Sequence, residues 1–354
     1  MPFQGGLLAN IGLELAHFSG LARLMEGRTG GAGVILGFQH VRPKRADAFQ
    51  PLRAQEVSPE FLDRAITALK TWNFDILPIG DVAGRAGQAA LARRFVSLTF
   101  DGAYRDFMMH AYPVLSRHRV PFTVYVPTGF VDGIGRAWWL ALEQVVARNN
   151  RIGLVMNRSE HHFFAATLKE KRQLYGILHA WMMTLAPDDV AVAIADLCSR
   201  YGVDLAAVST GIAMGWEDLA KLARDPQATI ASATVNYPNL AHMKGTHVLR
   251  EMTMGRTVLE NALGGTCQHF AYPFGGEGSF GPREILLAKE AGFSSAVTGK
   301  SGVIRSDGRS DPMALPRIMW DGRRTSLRAL RVVLSGLTVR REKRRDVEPA
   351  INYG

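Results

Sequence analysis

Short apolar runs bounded by polar or turn-forming residues alternate along the chain with stretches whose apolar residues recur at helical spacing. The apolar runs predict buried β-strands, at residues 33–38, 74–77, 95–100, 121–126, 229–230, 269–272 and 295–297. The intervening patterns predict helices, one opened by Ser58 as N-cap with Pro59 in its first turn and others at 104–118, 245–263 and 282–291. Alternation of this kind indicates an α/β fold with parallel strands joined by right-handed crossovers.

One segment breaks the alternation. From Trp138 to about Tyr201 the pattern is that of helices only, with a new helix start at Pro187. We interpret it as a helical insertion, about residues 138–205, on a barrel that spans residues 31–325. Residues 1–30 are predicted to form an N-terminal helical extension, and residues 326–354 a C-terminal helix and basic tail.

Composition narrows the classes of function. Hydrophobic residues make up 47% of the 354, enough for a large core. The two cysteines, Cys198 and Cys267, exclude a disulfide framework and a Cys-x-x-Cys motif. Neither a secretory signal nor an apolar run long enough for a membrane span is found. We therefore expect a cytoplasmic protein without a transmembrane segment.

The chain is basic, with a formal net charge of +10, and part of the excess lies in the tail at residues 340–345. The tail is either a solvated end or a contact for anionic lipid or an acidic glycan. Basic residues are not interleaved with aromatic ones as a stacking platform for bases requires, so we expect no nucleic-acid partner.

Polar residues cluster at three predicted strand ends, in segments 98–106, 229–240 and 270–275. Because sites in folds of this kind gather at the carboxyl ends of the strands, we expect these segments to lie together. Their sequences are LTFDGAYRD, TIASATVNYPNL and FAYPFG.

Together these segments resemble the motifs of the polysaccharide deacetylase family, which includes the nodulation-type chitooligosaccharide deacetylases. The resemblance runs from about Val34 to Arg317, with further matches at 129–132, 216–219, 291–293 and 315–318. It implies a distorted (β/α) barrel, a substrate that is an N- or O-acetylated oligo- or polysaccharide, and hydrolysis assisted by zinc or another divalent metal. In the family, an Asp-Asp pair supplies a general base and a metal ligand, and two histidines at His-x-x-x-His complete the site. Three protein ligands leave a position open for a water molecule that the metal acidifies.

This chain departs from the family pattern at the ligand positions. Asp101 matches the general base, but Gly102 stands at the ligand aspartate, and Ala233 and Tyr237 stand at the two histidines. Gln39 replaces a further histidine that many relatives carry after an early strand. The resemblance therefore implies that catalysis is impaired and that no cofactor is bound. It also implies that restoring Asp at 102 and His at 233 and 237 would recover metal binding and deacetylation.

Several side chains remain candidates for substrate contact, each with a structural alternative. Asp101 is a relic base or a turn cap, and Tyr237 binds sugar or fills the vacated metal site. Tyr272 and Pro273 form a groove wall or simply a tight turn. The full set of predicted substrate contacts comprises Tyr104, Arg105, Trp139, Tyr237, Tyr272, Pro273 and Arg317.

The same two-way interpretation applies to the remaining candidates. Trp138, Trp139 and Trp320 stack on sugar or pack in the core. Arg105 and Arg317 bind glycan groups or pair with carboxylates such as Asp106. A substitute metal site would draw on His40, His242 and His247, whereas His161 and His162 are expected at the surface of the insertion.

Three functional hypotheses follow. The first is a catalytically impaired relative that keeps a carbohydrate groove and binds a glycan or supports a partner protein of glycan synthesis. The second is an active deacetylase with an atypical site. The third is a non-catalytic interaction protein with a filled groove. Function resides in the site rather than the fold, so the fold alone does not choose among them.

Overall fold

A computed structural model describes residues 27, 29–88 and 93–338 of the chain. The predicted N-terminal extension, except for its last few residues, and the basic tail at 340–345 lie outside the described residues.

The main sheet has eight strands, all parallel to their neighbours, in the order β11-β10-β9-β6-β5-β1-β12, with β4 beside β5. It curls into a half-barrel with helices around it, which confirms the predicted α/β distorted barrel. Two further two-stranded sheets pair β2 with β3 and β7 with β8. The strands are β1 Gly33–Phe38, β2 His40–Val41, β3 Glu56–Val57, β4 Asp75–Ile76, β5 Phe95–Asp101, β6 Phe122–Val126, β7 Arg151–Met156, β8 Ser159–Phe164, β9 Ala228–Ser232, β10 His269–Ala271, β11 Ser295–Val297 and β12 Ile318–Met319.

Helices connect the strands largely where the sequence predicts them. Ser58 caps α1 by accepting the Phe61 N–H at 3.2 Å, and Pro59 follows in the first turn as predicted. The helix predicted at 104–118 contains a π-helical turn, Phe107–Ala111, before α3. The α-helices are α1 Pro59–Thr71, α2 Val82–Ala86, α3 Tyr112–His118, α4 Thr128–Val131, α5 Trp138–Arg148, α6 Leu168–Met182, α7 Pro187–Tyr201, α8 Leu205–Thr210, α9 Trp216–Ala223, α10 Gly245–Leu263, α11 Pro282–Glu290 and α12 Leu327–Leu334. Among the helices of the described residues, none is both long and apolar enough to cross a membrane.

The insertion is not helical throughout, so that prediction is wrong in one part. Strands β7 and β8 form an antiparallel hairpin between α5 and α6. Asn157 and Arg158 connect them with φ values of 52° and 67°, the left-handed pair that two-residue hairpin turns require. Burial alternates with period two along β7, where Ile152 and Leu154 are buried.

Strands β1, β5 and β6 are buried at every position and consist mostly of apolar residues, because both faces of the sheet are covered. Buried apolar residues form two hydrophobic clusters. Alternate side chains of β1 belong to different clusters, Val34 and Leu36 to the first and Ile35 to the second. The second cluster contains the insertion helices together with Ala233 and Tyr237. Two of the three positions that match family metal ligands are therefore part of a packed apolar core.

Candidate active site

The sheet places the three predicted segments at one edge. Asp101 ends β5 beside Tyr125 of β6, and Ala231 of β9 lies on the other side of Tyr125. Strand β10 follows at the next position, where Phe270 pairs with Ser232. Four residues that are not glycine have positive φ values in these segments, namely Ala103, Thr234, Tyr237 and Phe274. Backbone strain of this kind clusters at sites whose surroundings fix it.

Asp101 is one half of a buried ion pair. Arg317 donates from its two terminal nitrogens to the two carboxylate oxygens of Asp101, at 2.6 and 2.8 Å. The guanidinium also donates to the Thr298 carbonyl at 2.8 Å, and Arg317 is 1% exposed. Burial alone would lower the pKa of Arg317, but the Asp101 carboxylate raises it above the ordinary arginine value. Arg317 therefore neutralises the residue that matches the family's general base.

Gly102 cannot be replaced by a ligand without a local change. Its φ of +95° lies in the region that favours glycine, and a Cβ atom there would lie 2.5 Å from Cε2 of Tyr104. Its N–H donates to the Tyr125 carbonyl at 2.9 Å, which fixes the backbone. The space that a carboxylate at position 102 would enter is taken by the Tyr104 ring.

Tyr104 connects this position to His40. The two rings stack with centroids 4.0 Å apart, and Nδ1 of His40 lies 2.8 Å from Oδ2 of Asp106. Burial raises the pKa of the Tyr104 phenol well above its usual value, and Tyr237 and Asp106 add to the rise. Tyr104 is thus a neutral, packed ring, and His40 is engaged by a stacking partner and a carboxylate.

Tyr237 is buried in a cluster of aromatic rings. Its ring lies 5.2 Å from that of Phe274, 5.8 Å from Trp139 and 6.4 Å from Phe130, between centroids. Burial raises the pKa of the Tyr237 phenol and Asp101 raises it further, while the Phe274 backbone and the Gln39 side chain oppose the rise. The phenol stays protonated at neutral pH, and a protonated phenol is a poor metal ligand.

The other predicted contact residues are mostly buried. Trp139 is 6% exposed and packs against Trp138, and the Tyr272 hydroxyl donates to the Met313 carbonyl at 2.8 Å within a stack on Phe280. Pro273 is buried next to Tyr272, whereas Arg105 is exposed. These positions favour packing over sugar contact for the aromatic residues, and their binding roles stay predictions.

Two further predictions concern tryptophan and histidine. Trp320 stacks on Phe61 at 5.2 Å and donates from Nε1 to the Arg324 carbonyl at 3.1 Å, so it packs in the core. His242 and His247 are exposed, and His161 and His162 lie on exposed β8 as predicted.

The donors present do not fit a metal. Gly102 and Ala233 supply none, Tyr237 supplies a neutral phenol, and both Asp101 oxygens accept from Arg317. Within residues 27, 29–88 and 93–338, no group of three or more His, Cys, Asp or Glu is arranged to hold a metal ion. A tetrahedral site needs three such ligands and an open position.

A buried charge cluster that no sequence pattern predicts lies next to this edge. Glu56 accepts from Arg42 at 2.6 Å and lies 2.8 Å from Arg45, which also donates to Glu143 of α5 at 2.8 Å. Burial raises the pKa of Glu143 and Arg45 partly offsets the rise. The partners are far apart in the sequence, so the only signal was the basic run that contains Arg42 and Arg45. Through Arg45, the cluster connects α5 of the insertion to β3.

Comparison with known proteins identifies the family. The family model described as Polysaccharide deacetylase matches residues 88–178 and 185–296. The search of curated proteins found no match.

Solved structures show the same fold. The chain is similar to the deacetylase PplD of Streptococcus pyogenes in complex with acetate, with 16% identity, a TM-score of 0.53 and coverage of 82% of this chain and 92% of that one. IcaB from Ammonifex degensii has 16% identity, a TM-score of 0.53 and coverage of 86% and 98%. A polysaccharide deacetylase from Bacillus cereus has 13% identity, a TM-score of 0.54 and coverage of 85% and 68%. Because the family model matches more than half of the sequence and the half-barrel agrees with these structures, the chain belongs to the polysaccharide deacetylase family.

Proposed function

We propose that this chain is a member of the family that has lost metal-dependent deacetylation and has kept an N- or O-acetylated glycan as its ligand. The observation that carries the proposal is the set of groups at the strand ends. Gly102 faces the Tyr104 ring, and Tyr237 lies in an apolar cluster with Ala233. No bound cofactor is required by a protein of this kind.

The remaining residues do not supply a replacement mechanism. A general base needs a free lone pair within hydrogen-bonding reach of the proton it removes. The charge of Asp101 is neutralised by Arg317, and the neutral phenols of Tyr104 and Tyr237 are buried. The same groups instead stabilise the edge of the sheet, because each is held by an ion pair or a ring contact.

A glycan is proposed as the ligand because the family acts on acetylated polysaccharides. At the carboxyl edge of the sheet, Arg105 directly follows Tyr104 in the chain and is exposed. A guanidinium can donate to the hydroxyl, acetyl or acidic groups of a sugar. We therefore assign Arg105 as the contact residue that a binding measurement should address first. A partner protein of glycan synthesis and a cytoplasmic location remain sequence-based predictions.

One observation favours the interaction-protein hypothesis as a second candidate. The aromatic residues that would stack on sugar, Trp139, Tyr237 and Tyr272, are each no more than 6% exposed. Sugar binding through aromatic faces requires accessible rings. On this alternative the filled edge is structural, and no glycan binds there.

The test is to measure turnover and binding on the same protein. We expect no deacetylation of acetylated chito-oligosaccharides or aryl acetates above the buffer rate, with or without added zinc. We expect saturable binding of an acetylated oligosaccharide, weakened about three- to tenfold by Arg105→Ala through loss of charge-assisted hydrogen bonds. Arg224→Ala is the matched control, because Arg224 is exposed and precedes β9 at the opposite edge of the sheet.

Each outcome decides between the hypotheses. Turnover by the unmodified chain would contradict the proposal and favour an active enzyme with an atypical site. Absence of both turnover and binding would leave the interaction protein as the better account.

A further inference from the structure

The outer strand of the hairpin in the insertion is open to solvent. Along β8, the side chains of Glu160 and His162 are 61% and 75% exposed, and Phe164 is 66% exposed. On the other strand, the edge of β7 is covered, because Tyr201 of α7 lies against Gly153. The hairpin therefore has one protected edge and one exposed edge.

The hydrogen-bond pattern gives the direction of the backbone groups on β8. Gly153 donates from its N–H to the Tyr201 hydroxyl at 2.6 Å, and the hydroxyl donates to the Gly153 carbonyl at 3.4 Å. The polar groups of Gly153 thus face away from β8, and its cross-strand partner is His162. Gly153 and His162 are thus an antiparallel pair that is not hydrogen-bonded. In such a pair the backbone N–H and C=O groups of each residue point away from the other strand, so those of His162 point away from β7.

The pattern repeats every second residue, so the N–H and C=O groups of Glu160, His162 and Phe164 all point away from β7. Across the residues that the structure describes, no backbone–backbone hydrogen bond ends on these groups. Protein edges are commonly protected by proline, lysine, a bulge or a very short strand. Strand β8 has six residues, SEHHFF, without proline, lysine or a bulge, and Glu160 is its one carboxylate.

We propose that β8 pairs antiparallel with β8 of a second copy of this chain, forming a continuous four-stranded sheet across a twofold axis. In this register, His162 lies opposite His162 of the second copy, and Glu160 lies opposite Phe164. The registers in which the outward backbone groups of one β8 meet those of the other are separated by steps of two residues. The register proposed here is the one that pairs all three outward residues of each copy. It forms up to about six interchain hydrogen bonds.

Charge complementarity favours a second copy as the occupant. Arg151 pairs across the hairpin with Phe164, and its guanidinium lies over the ring, 5.9 Å from the centroid. In the dimer, Glu160 of the second copy takes the position on the far side of the same ring. Arg151 and that carboxylate then share one face of the sheet, about 10 Å apart between Cα atoms, within reach of the two long side chains. The twofold axis repeats the pair.

The experiment is sedimentation velocity over a series of concentrations of the full chain. The unmodified protein is expected to show a reversible monomer–dimer equilibrium. His162→Pro removes an outward N–H that the hairpin itself does not use, and it should raise the dimer dissociation constant by more than about tenfold. His162→Val keeps the N–H and favours strand structure, so it is the matched control and should still dimerise.

Charge reversal provides a second measurement that does not depend on proline. Arg151→Glu and Glu160→Arg should each weaken the dimer, and the double variant should recover most of the loss because it restores opposite charges across the twofold axis. A monomer at every soluble concentration would overturn the proposal. So would a dimer that neither His162→Pro nor either charge reversal weakens, because it would use another surface.

Discussion

Replacing Arg317 with methionine is expected to lower the free energy of unfolding by about 3–5 kcal/mol, because it leaves a buried carboxylate without its partner. Arg317 is 1% exposed and both of its terminal nitrogens donate to Asp101. Chemical denaturation of the two proteins under the same conditions measures the difference. A loss of this size would identify the pair as a structural element of the sheet edge.

Two comparisons separate the ion pair from a general effect of losing an arginine. Arg200→Met should leave the free energy of unfolding nearly unchanged, because Arg200 pairs with Asp196 on the exposed surface of α7. Arg317→Met combined with Asp101→Leu should recover much of the loss, since an apolar replacement removes both buried charges. If Arg317→Met were as stable as the unmodified chain, the ion pair could not be as the structure describes it.

Restoring a side chain at position 102 is expected to cost about 2–5 kcal/mol of stability, even for Gly102→Ala. The cost has two sources, the φ of +95° and the contact of a Cβ atom with the Tyr104 ring at 2.5 Å. Gly202→Ala isolates the first source, because Gly202 has a φ of +65° with nothing within 4 Å of its Cβ position. That control should lose only about 1–2 kcal/mol.

The contribution of the ring is measured by a double-mutant cycle. Gly102→Ala with Tyr104→Ala should lose less stability than the sum of the two single changes, because the smaller side chain makes room for the Cβ atom. Additive losses would contradict the assignment of the space to Tyr104. The result also bears on reconstruction, since replacing only positions 102, 233 and 237 does not provide room for the aspartate.

The main sheet was predictable because buried strands and helix ends leave local patterns in the sequence. Apolar runs such as Gly33–Phe38 and a capped helix start at Ser58 report burial and helix ends directly. The hairpin at β7 and β8 was missed because its turn, Asn157-Arg158, lacks glycine and because β8 is exposed along most of its length. The alternation of buried and exposed residues is confined to one short strand, β7, and the segments on both sides of the hairpin have helical patterns, so the sequence favoured helices throughout.

The candidate site was predictable only in part. The substituted positions came from a family resemblance, which gives residue types but not the space around them. The partner of Asp101 lies 216 residues away in the sequence, and the clash at Gly102 depends on a φ angle and on the placement of Tyr104. Tertiary packing determined each of these, so no local pattern contained them.

The most direct test of the central claim is the metal content of the purified, chelator-free protein, measured by elemental mass spectrometry. The donor set at the strand ends predicts far less than one zinc or other transition-metal ion per chain, and no increase after dialysis against zinc followed by buffer. A content near one ion per chain, retained through that dialysis, would contradict the loss of the metal site and would restore the case for an active enzyme.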